Sequence, residues 1–300
     1  MASVKISDLT NQASILSTDL IEIETSGGLS RKTTLTAITD RIDTAEADIV
    51  NIQSSLGTAY YTSANYTITD DDGYGTILVD TTSGDITITL PLKANNIDRK
   101  IKILKAGGAS NKIIVSPNAT DANTLTSDAL AAIWLPVTGD FIELLENQSS
   151  GYWISTGERV TSTLWYDTHS GYGSTDTRVL TFTNNSVALG NYMTSNFGSY
   201  GTAGLEITIK RTGNYCFLAQ TQNAYYFGIM RNATEKTSNI QSTTLPAQRL
   251  SWHTIATAGY LGTTTSGVVK LTAGDIICLQ GTTGTTPSSS NTVFRCEYVS

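Results

Sequence analysis

Few residues in this chain carry the chemistry to transform a substrate, and they are scattered. His169 and His253 are the two imidazoles in 300 residues, and neither has a carboxylate or cysteine at metal-ligand or triad spacing. His169 reads as a polar loop residue and His253 as the flank of a strand beside Trp252. No G-x-S-x-G, phosphate-loop or H-E-x-x-H pattern occurs. Asp70-Asp71-Asp72 is the acidic cluster in which a glycosidase carboxyl pair or the ligands of a hard cation would be sought. Gly73-Tyr74-Gly75 directly after it makes the cluster read as a turn. Cys216, Cys278 and Cys296 are odd in number and lie inside apolar stretches, so they read as buried thiols of a chain assembled in a reducing cytoplasm. A pairing of two of them across neighbouring strands stays open. Catalysis, a cofactor and a metal are not expected.

Binding chemistry is better represented. Aromatic faces and short hydroxylated side chains on a rigid scaffold grip sugars and protein loops. Tyr172, Tyr192, Tyr200, Trp252, Thr285 and Ser289 are the candidates for such contacts. An aromatic in a β-sandwich is also a natural core residue, and each candidate carries that simpler reading.

The background composition agrees with a binding scaffold. Hydrophobic residues make up 39% and charged residues 15%, and Ser, Thr, Asn and Gly fill most of the rest. Thr and Tyr favour strands, while Ser, Gly and Asn favour the turns between them. The net charge of −7 and the lack of a Lys/Arg cluster exclude nucleic acid as an expected partner. The N-terminus has no secretory apolar core, and no run reaches the roughly 18 apolar residues of a membrane span, so neither export by its own signal nor membrane insertion is expected.

The elements that must position these residues fall into four segments. Residues 1–34 hold two short apolar pieces, with Ile6 and Leu9 in one and Leu20, Ile21 and Ile23 in the other. A segment this small either stays disordered or docks on something larger, and docking is the functional option. Residues 35–57 follow with Leu35, Ile38, Ile42, Ala45, Ile49, Ile52 and Leu56, spaced 3, 4, 3, 4, 3 and 4. This heptad stripe predicts a helix about 33 Å long, closed by Gly57. Burying its six large aliphatic side chains is worth on the order of 12 kcal/mol per chain as an upper bound. Ile at both a and d favours a parallel trimer, with Arg41 at g reaching Glu46 at e of a neighbour.

From residue 58 the period changes to two. Residues 58–160 predict a compact antiparallel β-domain with strands at 76–80, 85–90, 100–105, 112–116, 140–145 and 152–155. Residues 161–300 predict a sandwich of eight strands, at 178–183, 205–210, 214–222, 225–230, 252–260, 267–271, 275–280 and 292–299. Segments 193–201 and 282–291, rich in Gly, Ser, Thr and Asn, read as solvent-facing loops. The fold class is therefore mainly β: a short trimeric coiled coil, a small antiparallel β-domain and a C-terminal sandwich.

Three resemblances accompany this reading. Lys5-Ile6-Ser7-Asp8-Leu9, Ser17-Thr18-Asp19-Leu20-Ile21-Glu22-Ile23 and Ser30-Arg31-Lys32-Thr33-Thr34-Leu35 resemble the N-terminal anchor of phage tail-fibre and head-fibre proteins. Ser83-Gly84-Asp85-Ile86-Thr87-Ile88-Thr89-Leu90-Pro91, Gly139-Asp140-Phe141-Ile142-Glu143-Leu144 and Gly151-Tyr152-Trp153-Ile154 resemble a β-module of phage tail proteins. Gly213-Asn214-Tyr215-Cys216-Phe217, Tyr226-Phe227-Gly228-Ile229-Met230-Arg231-Asn232, Leu271-Thr272-Ala273-Gly274-Asp275-Ile276-Ile277 and the terminal strand from Phe294 to Val299 resemble the C1q/TNF-like jelly roll.

The resemblances imply a non-enzymatic homotrimeric fibre protein exposed on a phage particle after assembly in the host cytoplasm. A phage tail or capsid protein would hold its N-terminus, and a host-surface glycan or outer-membrane receptor would meet the distal head. The alternatives are a head-attached decoration fibre without a dedicated receptor, and a polysaccharide-cleaving tailspike.

Overall fold

A computed structural model describes residues 20–24, 30–34, 58–121, 125–146, 151–172, 178–199, 204–222, 226–234, 236, 246–254, 261–281 and 291–300. The chain divides into two compact units, one of residues 1–58 with 73–75 and the other of residues 59–72 with 76–300. In the first unit, strands β1 (Leu20–Glu24) and β2 (Ser30–Thr34) form an antiparallel hairpin in the register Leu20 opposite Thr34. Leu20, Ile21 and Ile23 thus lie in a strand. Ile6 and Leu9, and the heptad positions 35–56, lie outside the described residues.

Alternating burial builds the middle β-region. Its strands are β3 (Thr58–Thr62), β4 (Tyr66–Thr67), β5 (Tyr74–Asp80), β6 (Ile86–Thr89), β7 (Lys100–Gly107), β8 (Ile113–Ser116), β9 (Ile133–Leu135), β10 (Phe141–Glu146) and β11 (Trp153–Arg159). Ile77 and Val79, Ile86 and Ile88, Ile101 and Ile103, and Ile113 and Val115 turn inward at every second position and are at most 3% exposed. Two sheets result, in the orders β11-β10-β7-β5-β3 and β4-β6-β8-β9.

The expectation of an antiparallel domain is corrected here. β5 runs parallel to β7, β4 to β6 and β6 to β8, while β8–β9, β7–β10 and β10–β11 pair antiparallel. The turns after β5 and β7 carry the chain across to the facing sheet, so the strand after next comes back beside the first in the same direction. Gly108 makes one crossing possible: its φ is +80°, and a Cβ there would lie 2.4 Å from the Thr81 carbonyl carbon. The Asp70–Asp72 cluster is a turn. Asp72 accepts from the Tyr66 hydroxyl at 2.7 Å and the Thr69 amide at 2.6 Å, and Asp70 accepts from the Asn95 and Asn96 amides, both at 2.6 Å. Those two amides hold the Asp70 carboxyl below its usual range.

The C-terminal region is a sandwich of two five-stranded sheets. Its strands are β12 (Thr163–Tyr172), β13 (Leu180–Leu189), β14 (Met193–Ser195), β15 (Glu206–Ile209), β16 (Gly213–Gln222), β17 (Tyr226–Arg231), β18 (Arg249–Thr254), β19 (Leu261–Leu271), β20 (Ile276–Gly281) and β21 (Val293–Val299). The orders are β13-β12-β21-β16-β19 and β14-β15-β20-β17-β18. First and last strands as neighbours, and a chain that swaps sheets along its length, make this a jelly roll.

Among the described residues ten strands stand where eight were expected. β12 was not anticipated, and β14 lies in the segment read as a solvent-facing loop. Met193 is 3% exposed and joins the core, its sulfur against the Cys296 thiol. Between the sheets, Phe294 stacks with Phe182 at 6.5 Å and with Phe217 at 6.4 Å, and Tyr166 packs on Phe182 at 5.9 Å.

Candidate interaction surface

Where middle region meets jelly roll, a buried polar joint forms. Arg211, before β16, pairs with Asp128 at 3.1 Å and with Glu158 of β11 at 3.4 Å. Asp128 also accepts from the Thr212 amide at 3.0 Å and its hydroxyl at 2.7 Å. Glu158 accepts from Ser155 at 2.9 Å, from Tyr192 at 3.2 Å and from the Tyr298 hydroxyl. Burial first, then the neighbouring Glu158 charge, pushes the Tyr192 phenol well above its usual range. Each charge in this cluster has a counter-charge or several donors, the condition under which buried ions are tolerated.

The candidate contact residues separate accordingly. Tyr192 is 0% exposed and belongs to the joint, so its ring is not a surface contact. Its flat ring and single hydroxyl suit an apolar wall with one buried acceptor, and that acceptor came from another region of the chain. Tyr172 is half-buried at the opposite end of β12, roughly 30 Å from the joint by strand length. The Arg178 guanidinium lies 5.7 Å from its ring centre. Trp252 sits in β18 opposite Gly228. Tyr200, Thr285 and Ser289 lie outside the described residues.

Among the described residues, the outer face of the first sheet of the jelly roll carries exposed apolar side chains. Residues of β12, β21, β16 and β19 that alternate with the core line up across the strands. One row runs Trp165, Arg295, Leu218, Thr265, and the next runs Thr163, Glu297, Cys216, Val268. Trp165 is 36% exposed and Val268 62%. Arg295 lies 5.7 Å from the centre of the Trp165 ring and pairs with Glu297. Cys216 Sγ is 3.7 Å from a Glu297 oxygen. Burial and that carboxylate raise the Cys216 thiol above its usual range, which keeps it protonated and a poor nucleophile. A shallow hollow of about 190 Å³ opens between Cys216, Leu218 and Arg295.

The sequence reading missed this face, although a signal exists. Leu164-Trp165-Tyr166 and Tyr215-Cys216-Phe217-Leu218-Ala219 are apolar at consecutive positions, the mark of strands covered on both sides. The three cysteines are free, as expected, with Cys278 and Cys296 buried and Cys216 half-buried. Among the described residues no group of three or more His, Cys, Asp or Glu converges to hold a metal.

No protein-family model matches the chain, and no curated protein matches it. Solved structures similar to it include murine APRIL at pH 8.0, with 17% identity over 46% of this chain and 99% of that one and a TM-score of 0.31. A TNF called Eiger from S. frugiperda shares 12% identity over 47% of this chain and 94% of its own, with a TM-score of 0.30. The globular domain of zebrafish complement 1qA shares 13% over 47% and 97%, with a TM-score of 0.28. The jelly-roll architecture described above stands on its own strand order.

Proposed function

We propose that this chain is a non-enzymatic fibre subunit of a phage particle. It assembles as a homotrimer, is held by its N-terminal segment to a tail or capsid protein, and meets a host-surface glycan through its distal jelly-roll head. The observation that carries the reading is the outer face of the first sheet, where Trp165 and Val268 stand exposed beside half-buried Leu218. Exposed apolar side chains grouped on one sheet face fit a contact with another protein chain. The heptad stripe in residues 35–56 supports the same three-fold association from the other end of the chain. Three heads on one fibre multiply weak single-site contacts, so millimolar affinity for a sugar is adequate for attachment. Tyr172, at the end of β12 away from the middle region, fits a distal contact.

Sedimentation equilibrium tests the assembly: three chains of 32.1 kDa each should move as one particle. Trp165→Glu places a charge in the contact three times per trimer and is expected to weaken association at least about 100-fold. A monodisperse wild-type monomer would sink the trimer, and a variant that associates as tightly as wild type would remove the sheet face from the contact. Saturating free chain should block adsorption of particles to host cells, and unimpaired adsorption would refute the receptor role.

A further inference from the structure

We propose that the groove between the four-stranded sheet of the middle region and the β13–β14 turn of the jelly roll is a carbohydrate-binding site that takes a neutral pyranose ring. The inference rests on the reading that this chain meets a glycan, and it adds a site outside the distal head.

The groove encloses about 360 Å³ and is lined by Asp85, Ser110, Asn111, Lys112, Trp134 and Leu189 among others. That is the small end of the range for ligand pockets. Trp134 lies in β9 between Ile133 and Leu135, which are both fully buried, so strand alternation turns the indole outward. The Lys112 ammonium sits 4.2 Å from its ring centre and is itself paired with Asp85 at 3.2 Å. The two charges offset each other and leave the groove close to neutral. The Trp134 indole N–H and the Ser110 hydroxyl have no partner among the described residues, and the Asn111 side chain uses its amide N–H on the Thr81 carbonyl at 2.7 Å. An aromatic ring beside a mutually neutralised Lys112–Asp85 pair and the polar Ser110 and Asn111 suits the C–H face and hydroxyls of a sugar.

The walls are fixed before any ligand arrives. Lys105, 0% exposed, donates to the carbonyls of Asn111 and Pro136 beneath the groove. Gly190 has φ +72°, and a Cβ there would lie 2.5 Å from the Thr161 carbonyl oxygen, so the jelly-roll wall is pressed onto the chain entering β12. Such preorganisation lowers the entropy cost of binding. A peptide adding as a strand is disfavoured, because the free edge of β9 is already capped: Asn191 accepts from the Trp134 amide at 3.0 Å and donates to the Ala132 carbonyl at 2.7 Å.

Saturation-transfer NMR on the full chain, with methyl β-D-galactopyranoside, methyl α-D-mannopyranoside, methyl α-D-glucopyranoside and N-acetylglucosamine as probes, tests the site. At least one pyranoside is expected to bind in the millimolar range. Trp134→Ala should weaken that binding about tenfold or more. Ser110→Trp, in an exposed turn, fills the groove without touching the core and should have the same effect even if Trp134→Ala folds poorly. Tyr172→Ala, at the far end of the head, should leave the binding in place. Binding retained by folded Trp134→Ala or Ser110→Trp overturns the site. Binding lost in Tyr172→Ala but kept in both groove variants overturns the groove and leaves the distal reading standing. Absence of transfer from all four probes, while free chain still competes with particles for cells, likewise overturns the groove alone.

Discussion

Arg211→Met is expected to destabilise the folded chain by about 3–5 kcal/mol, the cost of leaving buried ions without their partner. The Arg211 side chain is 13% exposed, Asp128 7% and Glu158 10%, so water cannot replace the lost guanidinium. Met keeps most of the stem and its packing, which isolates the charge. Asp128 retains two donors from Thr212, and Glu158 retains the Ser155, Tyr192 and Tyr298 hydroxyls. Those bonds hold the carboxylates in place without neutralising them.

Urea denaturation followed by tryptophan fluorescence measures the effect. The double variant Arg211→Met with Glu158→Gln should lose less than the sum of the two single changes, because it removes one of the orphaned charges. Strict additivity, or a wild-type midpoint for Arg211→Met, would show that the joint contributes nothing. Loss of the joint should also split one unfolding transition into two, since Asp128 and Glu158 belong to the middle region and Arg211 to the jelly roll.

Above pH 10 the fold should weaken steeply. Burial raises the phenols of Tyr192 and Tyr215 above their ordinary value of 10.0, aided by Glu158 at the first and by Cys296 at the second. A raised folded value means that the unfolded chain gives up its proton first. The stabilisation is therefore complete below pH 10 and is lost as pH climbs toward the folded values. At pH 11 each of these two phenols costs about 1.4 kcal/mol, roughly 3 kcal/mol together.

Tyr298 shifts in the same direction, chiefly through burial. Buried Cys278, pushed up to about 12, and Cys296, raised further by burial, add the same sign from about pH 9. Urea midpoints at pH 9, 10 and 11 under reducing conditions read the sum, and Tyr192→Phe isolates one phenol. Its stability should fall less between pH 10 and 11 than that of wild type. Equal slopes would mean that the Tyr192 phenol ionises as freely in the folded chain as in the unfolded one.

The Arg211 cluster joins two regions that look separable along the chain. The joint draws on Asp128, Glu158, Arg211 and Tyr298, with Glu158 and Tyr298 alone 140 positions apart, and no local pattern announces such a meeting. Tyr192 shows the same blindness: as a candidate contact it is open to a surface and a core reading alike until Glu158 and Tyr298 are seen around it. Lys105 reads as the polar end of a strand, yet it is fully buried because two carbonyls and the charge of Asp140 converge on it. Trp165 and Leu218 could have been found, since strands with apolar residues on both sides need two covers.

Strand existence was legible because alternation is a property of neighbouring residues. Ile86-Thr87-Ile88-Thr89 and Ile113 with Val115 reveal their inward positions without reference to anything distant, and the mainly β class follows from such runs. Pairing partner and direction were not legible. A strand of period two satisfies a parallel and an antiparallel neighbour equally well, so Ile77–Ile103 and Ile88–Val115 come side by side only through the path of the turns between them. The amino-acid sequence by itself determined the strand class and most of the turns, and the inward positions wherever apolar and polar residues alternate. Only the tertiary structure decided which inward faces meet, which charges share a buried site, and which apolar face is left uncovered, because those outcomes depend on distances between residues that the linear order does not contain.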